Sequence, residues 1–175
     1  MTLEPKELES QGKTAYMGKR FAHAAELFRQ AAEGYTLGRN GLMAAEMMNN
    51  VSVALLQAGK ARESLEAALG TDEVFAGAKD IKRQAMAIGN QAAALDALKQ
   101  YDDALEKYKQ AAELFEQINE GDLRAVVLKS IANIKLKSGK VSDSAFEMLD
   151  SLGAKKTPTL LERFLKFLLK LFSPK

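Results

Sequence analysis

The chain has 175 residues and a formal charge of +2 from 25 Lys and Arg against 23 Asp and Glu. No basic face is concentrated within it, which argues against a nucleic-acid partner. Cysteine is absent, which excludes a disulfide framework and thiol chemistry and fits a reducing compartment.

The opening stretch MTLEPKELESQGK is polar and charged where a secretory signal would carry an apolar run, so a cytoplasmic location is expected. Proline stands only at Pro5, Pro158 and Pro174, and the interval between the first two is rich in Ala, Leu, Glu, Lys, Gln and Met. Those are strong helix formers, and no alternating Val, Ile, Thr or aromatic run bounded by turn residues interrupts them. The expected fold class is all-α.

Shifted by forty residues the chain matches itself: Phe21 falls on Ala61, Tyr101 and Val141. A small residue follows three positions later at Ala24, Ser64, Ala104 and Ser144, and Phe28, Ala68, Tyr108 and Met148 stand seven positions later. Repetition with this period implies two-helix units that bury their apolar faces against one another. In chain order, spacings of three and four predict helix pairs at about 5–18 with 21–36, 41–58 with 61–70, 80–98 with 101–118, and 122–138 with 141–152. The stretch LGTDEVFAGAKD near 69–80 reads as the least regular connector. Gly18, Gly59 and Gly139 precede the second helix of their units, where glycine suits the left-handed residue that ends a helix and the following lysine offsets the dipole. The second unit lacks rings at Ala61 and Ala68, so a thinner contact or a local tilt is expected there.

No catalytic constellation is present, and the chain reads as non-catalytic with no cofactor. His23 is the only histidine, which rules out a histidine-based metal cluster, and beside Phe21 and Ala24 it reads as a surface or packing residue. Gly34, Gly38 and Gly41 fit no phosphate-binding spacing. Asp102-Asp103 and Glu113-Glu116 read as solvated charge near lysines. Met43, Met47 and Met48 share one helix, where they either fill core gaps or form an adaptable binding face.

The pattern of small residues at Gly12, Ser52, Ala92 and Ala132, aromatics at Phe21 and Tyr101, alanines at Ala24 and Ala104, rings at Phe28 and Tyr108, and alanines at Ala31 and Ala111 resembles the tetratricopeptide repeat (TPR). The forty-residue period is similar to the kinesin-light-chain-like variety, and the resemblance covers roughly residues 5–152. It implies a right-handed superhelical array of four hairpins, about 5–36, 41–70, 80–118 and 122–152. It also implies a concave groove, lined by the first helix of each hairpin, that takes a peptide or protein partner.

In such proteins a groove asparagine holds the partner's backbone, since its amide donates and accepts at once. Asn50 and Asn90 occupy equivalent slots, with Ser10 and Ser130 in the outer units. Equally, these amides could cap or bridge neighbouring helices. The resemblance also places Glu46, Asn49, Val53, Met86, Asp96, Lys129 and Asn133 on the groove. Lys129 and Asn133 have the spacing of half of the family's grip on carboxylate tails, but no later repeat supplies the rest.

After a linker at 153–158 the composition changes to LLERFLKFLLKLF, read as an amphipathic helix over 159–172 with Thr157 as N-cap and Pro158 at its start. Its polar arc carries Glu162, Arg163, Lys166 and Lys170, and Leu160, Leu161, Phe164, Leu165, Phe167, Leu168, Leu169, Leu171 and Phe172 cover the remainder. About 14 residues reach only about 21 Å, short of a hydrocarbon core near 30 Å. Three uses remain open: lying on an anionic membrane surface with its lysines facing the lipid heads, capping the array, or joining homo-oligomers.

Overall fold

The computed structural model describes residues 4–137. The segments expected at 141–152, 153–158 and 159–172 lie outside the described residues. Among the described residues every regular element is an α-helix: α1 (Pro5–Met17), α2 (Phe21–Leu37), α3 (Gly41–Gln57), α4 (Ala61–Ala68), α5 (Thr71–Gly77), α6 (Ile81–Ala97), α7 (Tyr101–Gln117) and α8 (Gly121–Lys137). The chain divides into two compact units, Met1–Ala104 and Leu105–Lys175.

A common turn sets this spacing. Lys19, Arg39, Lys79, Lys99 and Asn119 have φ between 55° and 62°, and Gly59 has φ 77°. Each stands two residues before a helix start, so the left-handed residue recurs every twenty positions. The residue after it donates its N–H to the carbonyl five back, as in Arg20 to Ala15, Lys60 to Leu55 and Asp80 to Phe75, each at 2.9 Å. This bond, with the shorter one from the left-handed residue itself, satisfies carbonyls that the ending helix leaves over. Among the described turns of this series glycine takes the left-handed place only at Gly59, and Gly139 lies outside the described residues. Gly18, expected there, has φ −77° and leaves the strained position to Lys19. A cationic side chain at a helix C-terminus offsets part of that strain through the dipole.

In the first unit, α1 packs on α2, α2 on α3, and α3 on α4. In the first hairpin a small residue meets a ring: a Cβ added to Gly12 would lie 2.7 Å from Cε1 of Phe28. Leu8, Ala15, Ala24, Phe28, Ala31, Met47 and Val51 form one buried cluster, against which Met43 and Met48 pack partly buried. In the second hairpin the small slots are Ser52 and Ser64, whose hydroxyls lie 3.0 Å apart, and Ser64 also donates to the Ser52 carbonyl at 2.8 Å. Two buried hydroxyls thus replace the ring-to-small contact of the first hairpin.

The stretch near 69–80 is not an irregular connector. Residues 61–77 occupy the same register as the 17-residue helix α2, but they are divided. Helix α4 stops at Ala68, Leu69 is extended with ψ 134°, Gly70 is left-handed with φ 77°, and α5 resumes at Thr71. No residue is gained or lost, so Phe75 reaches the same slot as Tyr35 and is fully buried with Ala45 and Ala87. In the second unit Tyr108, Ala111 and Phe115 of α7, and Leu128, Ile131 and Ala132 of α8, are buried.

Asn40 and Asp80 cap α3 and α6, their side chains accepting from the N–H of Met43 at 3.2 Å and of Arg83 at 2.9 Å. The Arg83 backbone N–H holds the Asp80 carboxyl below its usual 3.8; burial opposes this, and the Arg83 guanidinium at 2.6 Å reinforces it.

Two outcomes follow from this architecture. Lys79→Gly, which relieves a left-handed side chain, raises stability by about 0.5–1 kcal/mol, read as a higher urea midpoint at unchanged slope. Asp80→Ala lowers stability by about 1 kcal/mol at neutral pH. Because the folded carboxyl titrates below its unfolded value, its contribution is present above 3.8 and lost as pH falls through the folded value, so the difference between variant and parent closes in acid.

Candidate functional site

The first helices of the hairpins carry the residues that the repeat resemblance assigned to binding. On α1, Lys13, Tyr16 and Met17 fall on one face by their three-and-four spacing, and on α3 Asn50 and Val53 do the same. Together with Phe28 of α2 they enclose a cavity of about 360 Å³ in the first unit. Its walls are largely apolar. Met17 is 76% exposed at the mouth, and Tyr16 is braced edge-on against Phe21 with ring centres 5.3 Å apart.

The polar groups beside this cavity are held in place. Lys13 pairs with Glu9, and the Tyr35 hydroxyl donates to Glu9 at 3.0 Å, tying α1 to α2. Burial pushes the Glu9 carboxyl up, but the hydrogen bonds from Lys13 and Tyr35 outweigh it and leave the group below its usual 4.5. Burial and then the bond to Glu9 raise the Tyr35 phenol above its usual 10.0. Farther along, Arg83 of α6 donates to Glu46 of α3 at 2.9 Å while its guanidinium sits 5.3 Å from the Phe75 ring centre. Lys13 offsets the charge of Glu9, whereas the single Arg83 guanidinium is shared between Asp80 and Glu46.

The two neighbouring asparagines take different roles. Asn50 is half-buried and lines the cavity. Asn49 is 8% exposed and turns inward, where its Oδ1 lies 3.2 Å from Oγ1 of Thr71 and 3.4 Å from Nδ2 of Asn90. Asn90, half-buried on α6, therefore bridges to α3. Val53 shares the cavity with Asn50, Met86 is exposed on α6, and Asp96 is half-buried near the end of that helix. In the second unit Lys129 and Asn133 lie exposed one turn apart on α8. Leu161, Phe164, Leu165, Lys166, Phe167, Leu168, Lys170, Leu171 and Phe172 lie outside the described residues.

Sequence spacing did not single out the α1 wall of the cavity, nor a buried polar cluster behind the broken helix. Thr71 is 5% exposed and Gln91 1% exposed. Gln91 Nε2 donates to the Ala68 carbonyl at 3.2 Å and to Asp72 at 2.7 Å. Part of the signal for this cluster was available: Thr71 stands in phase with Ala31 and Ala111, where the repeat is apolar, whereas Gln91 stands in phase with Gln11 as well as with Val51 and Ile131. Among the described residues no group of His, Cys, Asp and Glu could hold a metal ion, and no helix is long and apolar enough to cross a membrane.

No family model matches the chain, and no curated protein matches it. Solved structures do. Kinesin-light-chain TPR-like repeats from Podosopora anserina superpose with a TM-score of 0.75 at 13% identity, covering 98% of this chain and 88% of that one. A Q17M form from the same organism gives a TM-score of 0.68 at 14% identity, covering 98% and 96%. The long helices, the small-against-ring contacts and these superpositions agree: the fold is that of TPR-like repeats.

Proposed function

We propose that the chain is a non-catalytic scaffold that holds a peptide or protein partner along the α1, α3 and α6 faces of its first unit. The observation that carries this reading is the cavity of about 360 Å³ with Tyr16, Met17, Phe28 and Val53 as walls and Asn50 beside them. It has room for a bulky apolar side chain while an amide fixes the partner's backbone. Asn90, Glu46, Met86 and Asp96 extend the contact along the same faces. Asn49 supports the surface from behind, and Lys129 and Asn133 supply a second polar contact on α8.

The same proposal gives the Leu- and Phe-rich segment at 159–172 the task of recruiting the scaffold to the inner, anionic face of a membrane. Burial of each Leu or Phe contributes about 1.5–3 kcal/mol, against about 1 kcal/mol from each nearby cation, so apolar insertion dominates and charge orients. A factor that assembles or matures a membrane-bound complex would need both features. The alternative is a structural module whose terminal segment caps the array or joins two copies, which the same apolar residues would also serve.

Selection of peptides on the full chain from a random display library provides the probe for the groove. Asn50→Ala combined with Asn90→Ala weakens the selected peptides by about tenfold or more, as loss of two amide contacts requires, and unchanged affinity rejects the groove. For the terminal segment, the full chain floats with anionic vesicles and a chain ending at Ser151 stays behind. If both stay behind and truncation lowers the melting temperature, the capping alternative holds.

A further inference from the structure

We infer that the break between α4 and α5 and the Asn90 side chain are two ends of one hydrogen-bond relay, so that drawing Asn90 away from Asn49 loosens the break. The inference rests on a count of hydrogen atoms. Thr71 Oγ1 carries a single hydroxyl hydrogen and lies within reach of two acceptors, the Ala68 carbonyl at 2.7 Å and Asn49 Oδ1 at 3.2 Å. It can serve only one of them at a time. With Asn90 Nδ2 donating to Asn49 at 3.4 Å, the Asn49 acceptor is supplied and the Thr71 hydrogen caps the carbonyl that the break releases.

The Asn90 contact is the longest in the cluster and comes from a half-buried member, so it is the first to yield. Once Asn90 turns to another acceptor, the buried Asn49 oxygen draws the Thr71 hydrogen to itself, because an unsupplied buried acceptor is costly. The Ala68 carbonyl then keeps only Gln91 Nε2, which it already shares with Asp72. Gln91 cannot compensate further: both its N–H groups are engaged, and its buried Oε1 has no donor among the described residues. Gly70, left-handed at φ 77° with open space where a Cβ would stand, leaves the backbone free to rearrange at that point.

Four differences from the residues forty positions earlier assemble this relay: Gly70 for Gln30, Thr71 for Ala31, Gln91 for Val51 and Asn49 for Glu9. In the proposed function a partner's backbone carbonyl is the acceptor that takes Asn90, so occupancy of the groove is transmitted to the back of the second hairpin. That trigger rests on the groove reading, whereas the relay is tested without any ligand and stands or falls separately.

The experiment is amide hydrogen exchange on the full chain, read at residues 69–74. Leu69 donates to Leu65 and Val74 to Gly70, so these amides report the break from both sides. Asn90→Ala, a half-exposed position, accelerates their exchange by about threefold or more. In a Thr71→Val background, where no hydroxyl hydrogen can be redirected, Asn90→Ala adds no acceleration, and in Thr71→Ser the acceleration returns. If Thr71→Val does not fold, Thr71→Ala takes its place, alanine being the residue at the equivalent Ala31 and Ala111. No acceleration in the parent overturns the relay, and so does equal acceleration with and without the hydroxyl.

Discussion

The bond that closes each helix, from the residue following a left-handed one to a carbonyl five back, determines everything built on top of it. It is 2.8 or 2.9 Å long at every described turn of the twenty-residue series. Because it ends each helix after the same number of residues, helix starts recur every twenty positions, and a small residue at Gly12 or Ser52 arrives where the following helix passes closely. That four of the left-handed residues are Lys or Arg shows that the turn tolerates strain of about 1–2 kcal/mol where the helix dipole and two backbone hydrogen bonds offset it.

Residues 61–77 show what the framework permits when one unit departs from it. Splitting a helix releases carbonyls and amides that would otherwise pair within it, and buried ones must find other partners. Here Thr71 and Gln91 supply the Ala68 carbonyl, and Asn49 and Asp72 anchor those two in turn. The substitution is collective: Thr71 and Gln91 both reach the Ala68 carbonyl, and of the buried side-chain atoms in this cluster only Gln91 Oε1 is left without a partner among the described residues. The register nevertheless survives, since Phe75 still fills its slot and Lys79 still makes its turn.

The candidate site draws its chemistry from the same economy of charge. Lys13 offsets Glu9, and Arg83 is divided between Glu46 and Asp80. Beside these paired charges the cavity lining is apolar wall and one carboxamide, a combination suited to selection by shape and by hydrogen bonding more than by electrostatic attraction.

Among the described residues the sequence by itself determined the all-α class, the forty-residue phase, helix limits to within a residue or two outside 61–77, and the small residues at Gly12, Ser52 and Ala92. These depend on local periodicity and on turns closed within six residues, so they are written along the chain. It also placed Asn50 and Val53 on one side of α3. Only the tertiary structure decided that Asn49, one residue and about 100° away, faces inward. Tertiary contacts likewise made Tyr16 and Met17 a wall of the cavity and surround the division of the helix at Gly70. Each of these depends on which group an adjacent helix brings within hydrogen-bonding or packing distance, and that is a relation between residues that spacing along one helix does not contain.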